Sequence, residues 1–224
     1  MEKKQKTIVA STSIVAAAIV VLAALGGQVF GTDTTVSVIV PTGTYRIGDT
    51  ITVSIQCSPT RPVKAWELNV NFNKNVLNAN AVFEGNFFVG KTTFFNAGTI
   101  QNSNGKIINI YDLIIGPGNV TTQGNLITIS FTAVGYGTSA VEIYNVGLTN
   151  ETMYIPISIV NSTTIVYSPY DMNADGVVDM LDLVDVAGHY GETGTSGWIM
   201  QDINKDGKIS VMDLVLISTH WGSY

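Results

Sequence analysis

The segment DMNADGVVDMLD, residues 171–182, returns at 202–213 as DINKDGKISVMD. In the first copy Asp171, Asn173, Asp175, Asp179 and Asp182 carry oxygen side chains at loop positions 1, 3, 5, 9 and 12, with Gly176 at position 6. In the second, Asp202, Asn204, Asp206, Ser210 and Asp213 take the same places, with Gly207 between. A hard cation such as Ca²⁺ needs this spacing: carboxylates and an amide converge, the backbone carbonyls of Val177 and Lys208 at position 7 add an oxygen each, and glycine permits the sharp turn. Each loop closes on Asp rather than the longer Glu, so the following helix must start close to the ion. Repetition at a 31-residue interval argues against a chance surface turn, and two Ca²⁺ ions are expected.

Charge follows the repeat. Of 17 acidic residues, nine lie in 171–224 against two lysines, a balance of −7 within a net −6 for the chain. That distribution excludes nucleic acid as a partner and suits a cation site. So short and acidic a segment has little core, and ion binding must supply much of its folding free energy.

No helix is predicted to enter either loop. STTIVYSPY reads as strand and Pro-containing connection, and GETGTSGWIM holds three glycines. Helices are expected only on the exit side, in MLDLVDVAGHY and VMDLVLISTHW, stopped by Gly191 and Gly222 as C-terminal caps. The two histidines, His189 and His220, hold equivalent positions. A role at the last helical carbonyls is favoured over a symmetric zinc pair, with Tyr190 and Trp221 packing beside them. A loop plus one exiting helix, duplicated, resembles the dockerin domain, in which Asp at position 12 is usual. The resemblance covers 171–224 and implies that the residues at positions 10 and 11, Met180 and Leu181 in one copy and Val211 and Met212 in the other, meet a partner cohesin. Both pairs are apolar, so the partner surface should be apolar too, and the near-symmetry would allow two binding orientations.

Residues 34–166 read as strands. TVSVIV, DTITVSIQC, AWELNVNF, TTFFNAG, KIINIYDLII, NLITISFTAV, SAVEIYNVGL and PISIVNSTTIVY are short and rich in β-branched and aromatic residues, and Gly, Pro and Asn clusters separate them. Eight or nine such strands imply a mainly β fold, an antiparallel sandwich. In AWELNVNF, Trp66, Leu68, Val70 and Phe72 form a core face, while Ala65, Glu67, Asn69 and Asn71 form a flat polar outer face. The order YRIGDTITVSI, AWELNVNFNKNVLNA, GKIINIYD and GNLITISFTAV resembles the cohesin domain, with Lys74 where that family carries Pro. The resemblance implies a jelly-roll sandwich that binds dockerins on one sheet face, where Ala65, Glu67, Asn69 and Asn71 would lie. Cys57, the single cysteine, is expected as a half-buried structural thiol at a strand end.

The N-terminus reads as a targeting segment over residues 1–31. MEKKQK precedes an uncharged stretch from Thr7 to Thr32 centred on IVAAAIVVLAAL, a signal peptide or a membrane anchor, and the only membrane contact expected. The chain is therefore expected outside the cell or on its surface. Its organisation is then sandwich 34–166, a connection at 167–170, and the dockerin-like segment 171–224. The connection reaches about 15 Å at most, which makes closure of the tail onto its own sandwich awkward.

The leading functional reading is a non-catalytic adaptor that joins proteins by calcium-dependent cohesin–dockerin contacts, with partner modules on other surface or secreted proteins or on copies of itself. The alternative is a polysaccharide-binding sandwich delivered by its dockerin, with Tyr136, Tyr144 and Phe94 as stacking candidates. An enzyme is disfavoured. The sandwich has no histidine, and no pair among Asp49, Glu67, Glu84, Asp112, Glu142 and Glu151 is placed together by sequence.

Overall fold

The computed structural model describes residues 33–224. The targeting segment read at 1–31 lies outside the described residues, and among those described no helix is long and apolar enough to cross a membrane.

Ten strands build the sandwich: β1 Thr34–Ile39, β2 Thr50–Ser58, β3 Ala65–Phe72, β4 Leu77–Glu84, β5 Thr99–Gln101, β6 Lys106–Leu113, β7 Gly124–Ala133, β8 Gly137–Thr149, β9 Ile157–Val160 and β10 Ser162–Val166. They form two five-stranded sheets, ordered β4-β7-β2-β1-β9 and β10-β8-β3-β6-β5. All pairings in these sheets are antiparallel except β1 with β9, where Thr34 to Ser37 run parallel to Ile157 to Val160. The run PISIVNSTTIVY is therefore two strands rather than one. Asn161 breaks it, its side-chain oxygen accepting from the Ile143 amide at 3.0 Å, and the halves join opposite sheets.

Period-two alternation sets the core, since successive strand side chains face opposite sides of a sheet. On β2, Ile51, Val53, Ile55 and Cys57 point inward and are fully buried. Cys57 is thus deeper than its strand-end position suggested, and burial pushes its thiol up to about 12, leaving it inert. From the other sheet Trp66, Leu68, Val70 and Phe72 of β3 face inward as expected, and Phe72 meets Phe131 of β7 edge-on across the core at 5.1 Å. A short 3₁₀ turn at Asn102–Asn104 ends on Gly105 in the left-handed region. No side chain fits at Gly105, because a Cβ there would collide with the Phe72 carbonyl.

The tail has its own small core of Met172, Val178, Val186, Ile209 and Ile217. Its helices are α1 Met180–Gly188 and α2 Val211–Thr219. A two-residue strand in the first loop, β11 Val177–Val178, pairs antiparallel with β12 Gly222–Ser223. Both helices stop earlier than predicted, capped at His189 and His220 rather than by glycine. His220 Nδ1 donates to the Leu216 carbonyl at 2.8 Å, which ends α2; His189 instead contacts Glu192 at 3.2 Å. Gly191 and Gly222 lie beyond, at positive φ, where they turn the chain.

Candidate metal loops and interaction surfaces

The two loops share the hydrogen bonds of their turn. Asp171 Oδ1 accepts from the Asp175 amide at 3.2 Å, and Asp202 Oδ1 from Asp206 at 3.1 Å. Asn173 and Asn204 accept from those same amides at 3.0 and 2.9 Å. Their side-chain amides donate to Asp175 Oδ2 and Asp206 Oδ2. Gly176 and Gly207 sit at φ 91° and 85°, each donating its amide to the first aspartate. Ala174 and Lys205, at position 4, are also left-handed, a strain the spacing rule did not foresee.

Position 12 closes each loop onto its helix. Asp182 accepts from the Met172 amide at 2.7 Å through one oxygen and from Asp179 at 2.7 Å through the other. Asp213 repeats this with Ile203 at 3.0 Å and Ser210 at 2.8 Å. Asp179 and Ser210 are the helix N-caps, accepting from Leu181 and Met212, so positions 9 and 12 form a capping box in both copies. This explains how the shorter Asp serves: the helix begins immediately after position 9.

Does this arrangement suit a cation? Asp171, Asp182 and Asp213 are fully buried and Asp202 nearly so. The ion pairs recorded among the described residues are Lys64–Glu151 and His189–Glu192, so none of the four has a basic partner. Backbone amides satisfy their oxygens but bring no full positive charge, and a divalent ion is the charge partner that such oxygen sets accept. No three His, Cys, Asp or Glu side chains cluster as a metal site by themselves among the described residues. Each loop instead combines carboxylates with an Asn amide and a backbone carbonyl, the mixed set that calcium takes.

The residues at positions 10 and 11 lie side by side on the two helix starts, and all four are exposed: Met180, Leu181, Val211 and Met212. Val184 and Val215, one turn on, extend the same apolar strip and were not picked out from sequence. Tyr190 and Trp221 are exposed as well, rather than packed. Instead Tyr170 stacks on His220, with ring centroids 3.6 Å apart.

On the sandwich, Glu67 is exposed while Ala65, Asn69 and Asn71 are half-buried on the outer face of β3. That face is less regular than the alternation implied. Register shifts fall beside Asn69 on both neighbouring strands, and its side chain accepts from the Asn109 amide at 2.7 Å. A shallow cavity of about 230 Å³ opens at one end of the sheet, lined by Ala65, Glu67, Tyr111, Leu113, Gly147 and Tyr154. Of the stacking candidates, Phe94 lies on Tyr111, Tyr136 packs against Tyr224, and Tyr144 lies beneath Lys106.

Comparison with known proteins agrees with this architecture. The cohesin domain model matches residues 35–153, and the dockerin type I domain model matches 169–220. Among solved structures, a second type II cohesin module from the cellulosomal adaptor ScaA scaffoldin of Acetivibrio cellulolyticus is similar at TM-score 0.50 and 13% identity, over 61% of this chain and 98% of that one. A non-cellulosomal cohesin from the hyperthermophilic archaeon Archaeoglobus fulgidus gives TM-score 0.48 and 14% identity, over 63% and 96%. No curated protein sequence matches the chain. The chain belongs to the cohesin domain family and carries a type I dockerin domain behind its cohesin domain. Both are non-catalytic interaction modules, and type I dockerins bind calcium.

Proposed function

We propose that this protein is an extracellular or cell-surface adaptor whose two modules engage different molecules, including other copies of itself, in a calcium-dependent manner. The observation that carries it is the pair of equivalent apolar helix starts left exposed by the dockerin of a chain that also presents a cohesin sheet. In this reading residues 1–31 are a signal peptide or anchor, 34–166 the cohesin, 167–170 the connection and 171–224 the dockerin. One calcium ion is held by Asp171, Asn173, Asp175, Val177, Asp179 and Asp182, the other by Asp202, Asn204, Asp206, Lys208, Ser210 and Asp213. Position 9 in such loops often acts through a water, which fits the capping duty of Asp179 and Ser210. The ions supply the charge compensation that the buried carboxylates lack.

Met180 and Leu181, or Val211 and Met212, contact a partner's cohesin. Ala65, Glu67, Asn69 and Asn71 lie on the face that receives a partner's dockerin. Linkage of copies is heterologous and can extend into chains. Sedimentation of the full chain over a range of concentrations, with calcium and then chelator, tests this. Calcium-dependent growth in mass supports linkage of copies. A monomer throughout, combined with no capture of any extracellular protein, overturns the adaptor reading, and retention on polysaccharide alone would favour the sugar-binding alternative. Because the two helix starts are equivalent, Met180→Asp and Val211→Asp should each leave association in place through the other orientation, and the double variant should abolish it. Loss with Met180→Asp alone, and none with Val211→Asp, contradicts the two-orientation model.

A further inference from the structure

One difference between the two loops leads out of the dockerin. The outer oxygen of the first aspartate takes two donors in each copy. For Asp202 both are amides of the dockerin, Gly207 at 3.0 Å and Gly197 at 2.7 Å. For Asp171 one is the Gly176 amide at 2.9 Å, and the other is the Tyr224 hydroxyl at 2.8 Å.

Tyr224 is itself held from the sandwich side. Its oxygen accepts from the Ser168 amide at 2.9 Å, and its ring meets that of Tyr136, in the turn before β8, edge-on at 5.1 Å. Arg46 of the sandwich donates to the carbonyls of Ser168 and Met172, the residues on either side of the connection's end, and lies over the Tyr167 ring. Tyr167 donates its amide to Tyr45 at 2.8 Å. The connection is thus pinned at successive residues, and Ser168 is buried.

We propose that Tyr224 is a positioning residue for the first calcium ion, and that through it the first loop, but not the second, is tied to the sandwich. The proposal rests on the reading that both loops bind calcium. A group that orients a metal ligand from behind typically changes metal affinity by 10- to 100-fold when removed. With its hydroxyl gone, Asp171 keeps the Asp175 and Gly176 amides but loses the donor that reaches its outer oxygen from outside the loop, and Ser168 loses its acceptor.

The experiment is a calcium titration of the full chain followed by amide NMR, with Gly176 reporting the first loop and Gly207 the second. Tyr224→Phe, which keeps the ring and its packing, should weaken the first loop at least about tenfold and leave the second unchanged. Tyr136→Ala, on the sandwich and touching neither loop, should weaken the first loop in the same direction by a smaller factor. The β2 and β7 amides report in each case that the sandwich is intact. Equal weakening of both loops, or none, overturns the proposal, and an effect of Tyr224→Phe without one from Tyr136→Ala overturns the tie to the sandwich. Absence of calcium binding at either loop in the unaltered chain removes the calcium reading and this proposal with it.

Discussion

The sandwich and the dockerin reach a fixed structure by opposite means. The sandwich buries a continuous apolar interior between two sheets, with Phe131, Ile51, Ile55, Leu126 and Leu148 among its fully enclosed side chains. Apolar burial stabilises by about 25 cal/mol per Å² removed from water, so such a core holds without a ligand. The dockerin encloses five apolar side chains and, beside them, four carboxylates without a basic partner. Those carboxylates need a positive charge that the chain itself does not place beside them, and in the function proposed above calcium provides it.

That contrast is open to attack from the sandwich side first. Phe131→Ala removes the ring that meets Phe72 across the core and should cost about 3 to 5 kcal/mol of sandwich stability, read by urea unfolding, while the calcium affinity of both loops stays the same. A parallel loss of calcium binding in a still-folded chain would mean that the two modules form a single cooperative unit.

The second prediction concerns the one place where the sandwich itself buries an acid. Asp112 of β6 is almost fully enclosed, and one of its oxygens lacks a hydrogen-bond partner. Burial first, and the neighbouring Glu84 charge second, push its carboxyl up to about 7. The folded state therefore holds this proton more tightly than the unfolded chain. The stability it contributes is fully present below about pH 4, the range of an unperturbed aspartate, and is lost as pH rises through about 7. Asp112→Asn should flatten that decline and, at pH 8, stabilise the sandwich by about 1 to 3 kcal/mol over the native residue. Urea unfolding at pH 5 and pH 8 measures it; an Asn variant that is less stable at pH 8 contradicts it.

The two repeated loops were legible because each residue type in them is dictated by position, and two copies repeat the pattern. The β3 alternation was legible for the same reason: one face is apolar without exception. What escaped has physical causes. The strand β4, LNANAVFE, interleaves Asn with Ala, Val and Phe, and the Ala residues gave too weak an apolar signal. TTFFNAG makes isolated bridges, Thr93 with Ile114 and Asn96 with Tyr111, rather than a strand, and β5 follows at Thr99. The parallel pairing of β1 with β9 depends on a contact between distant segments, which no local pattern encodes. The same holds for Arg46 and Tyr224. Nothing near either residue in sequence announces that one would hold the connection and the other the first aspartate.

The most direct measurement is differential scanning calorimetry of the full chain with saturating calcium and with excess chelator. Two regimes are predicted: a sandwich transition that survives chelation with its enthalpy nearly unchanged, and a dockerin transition that is present with calcium and absent without it. A dockerin transition that persists in chelator, or a sandwich that unfolds along with the tail, would contradict the division between a fold held by apolar burial and one held by metal.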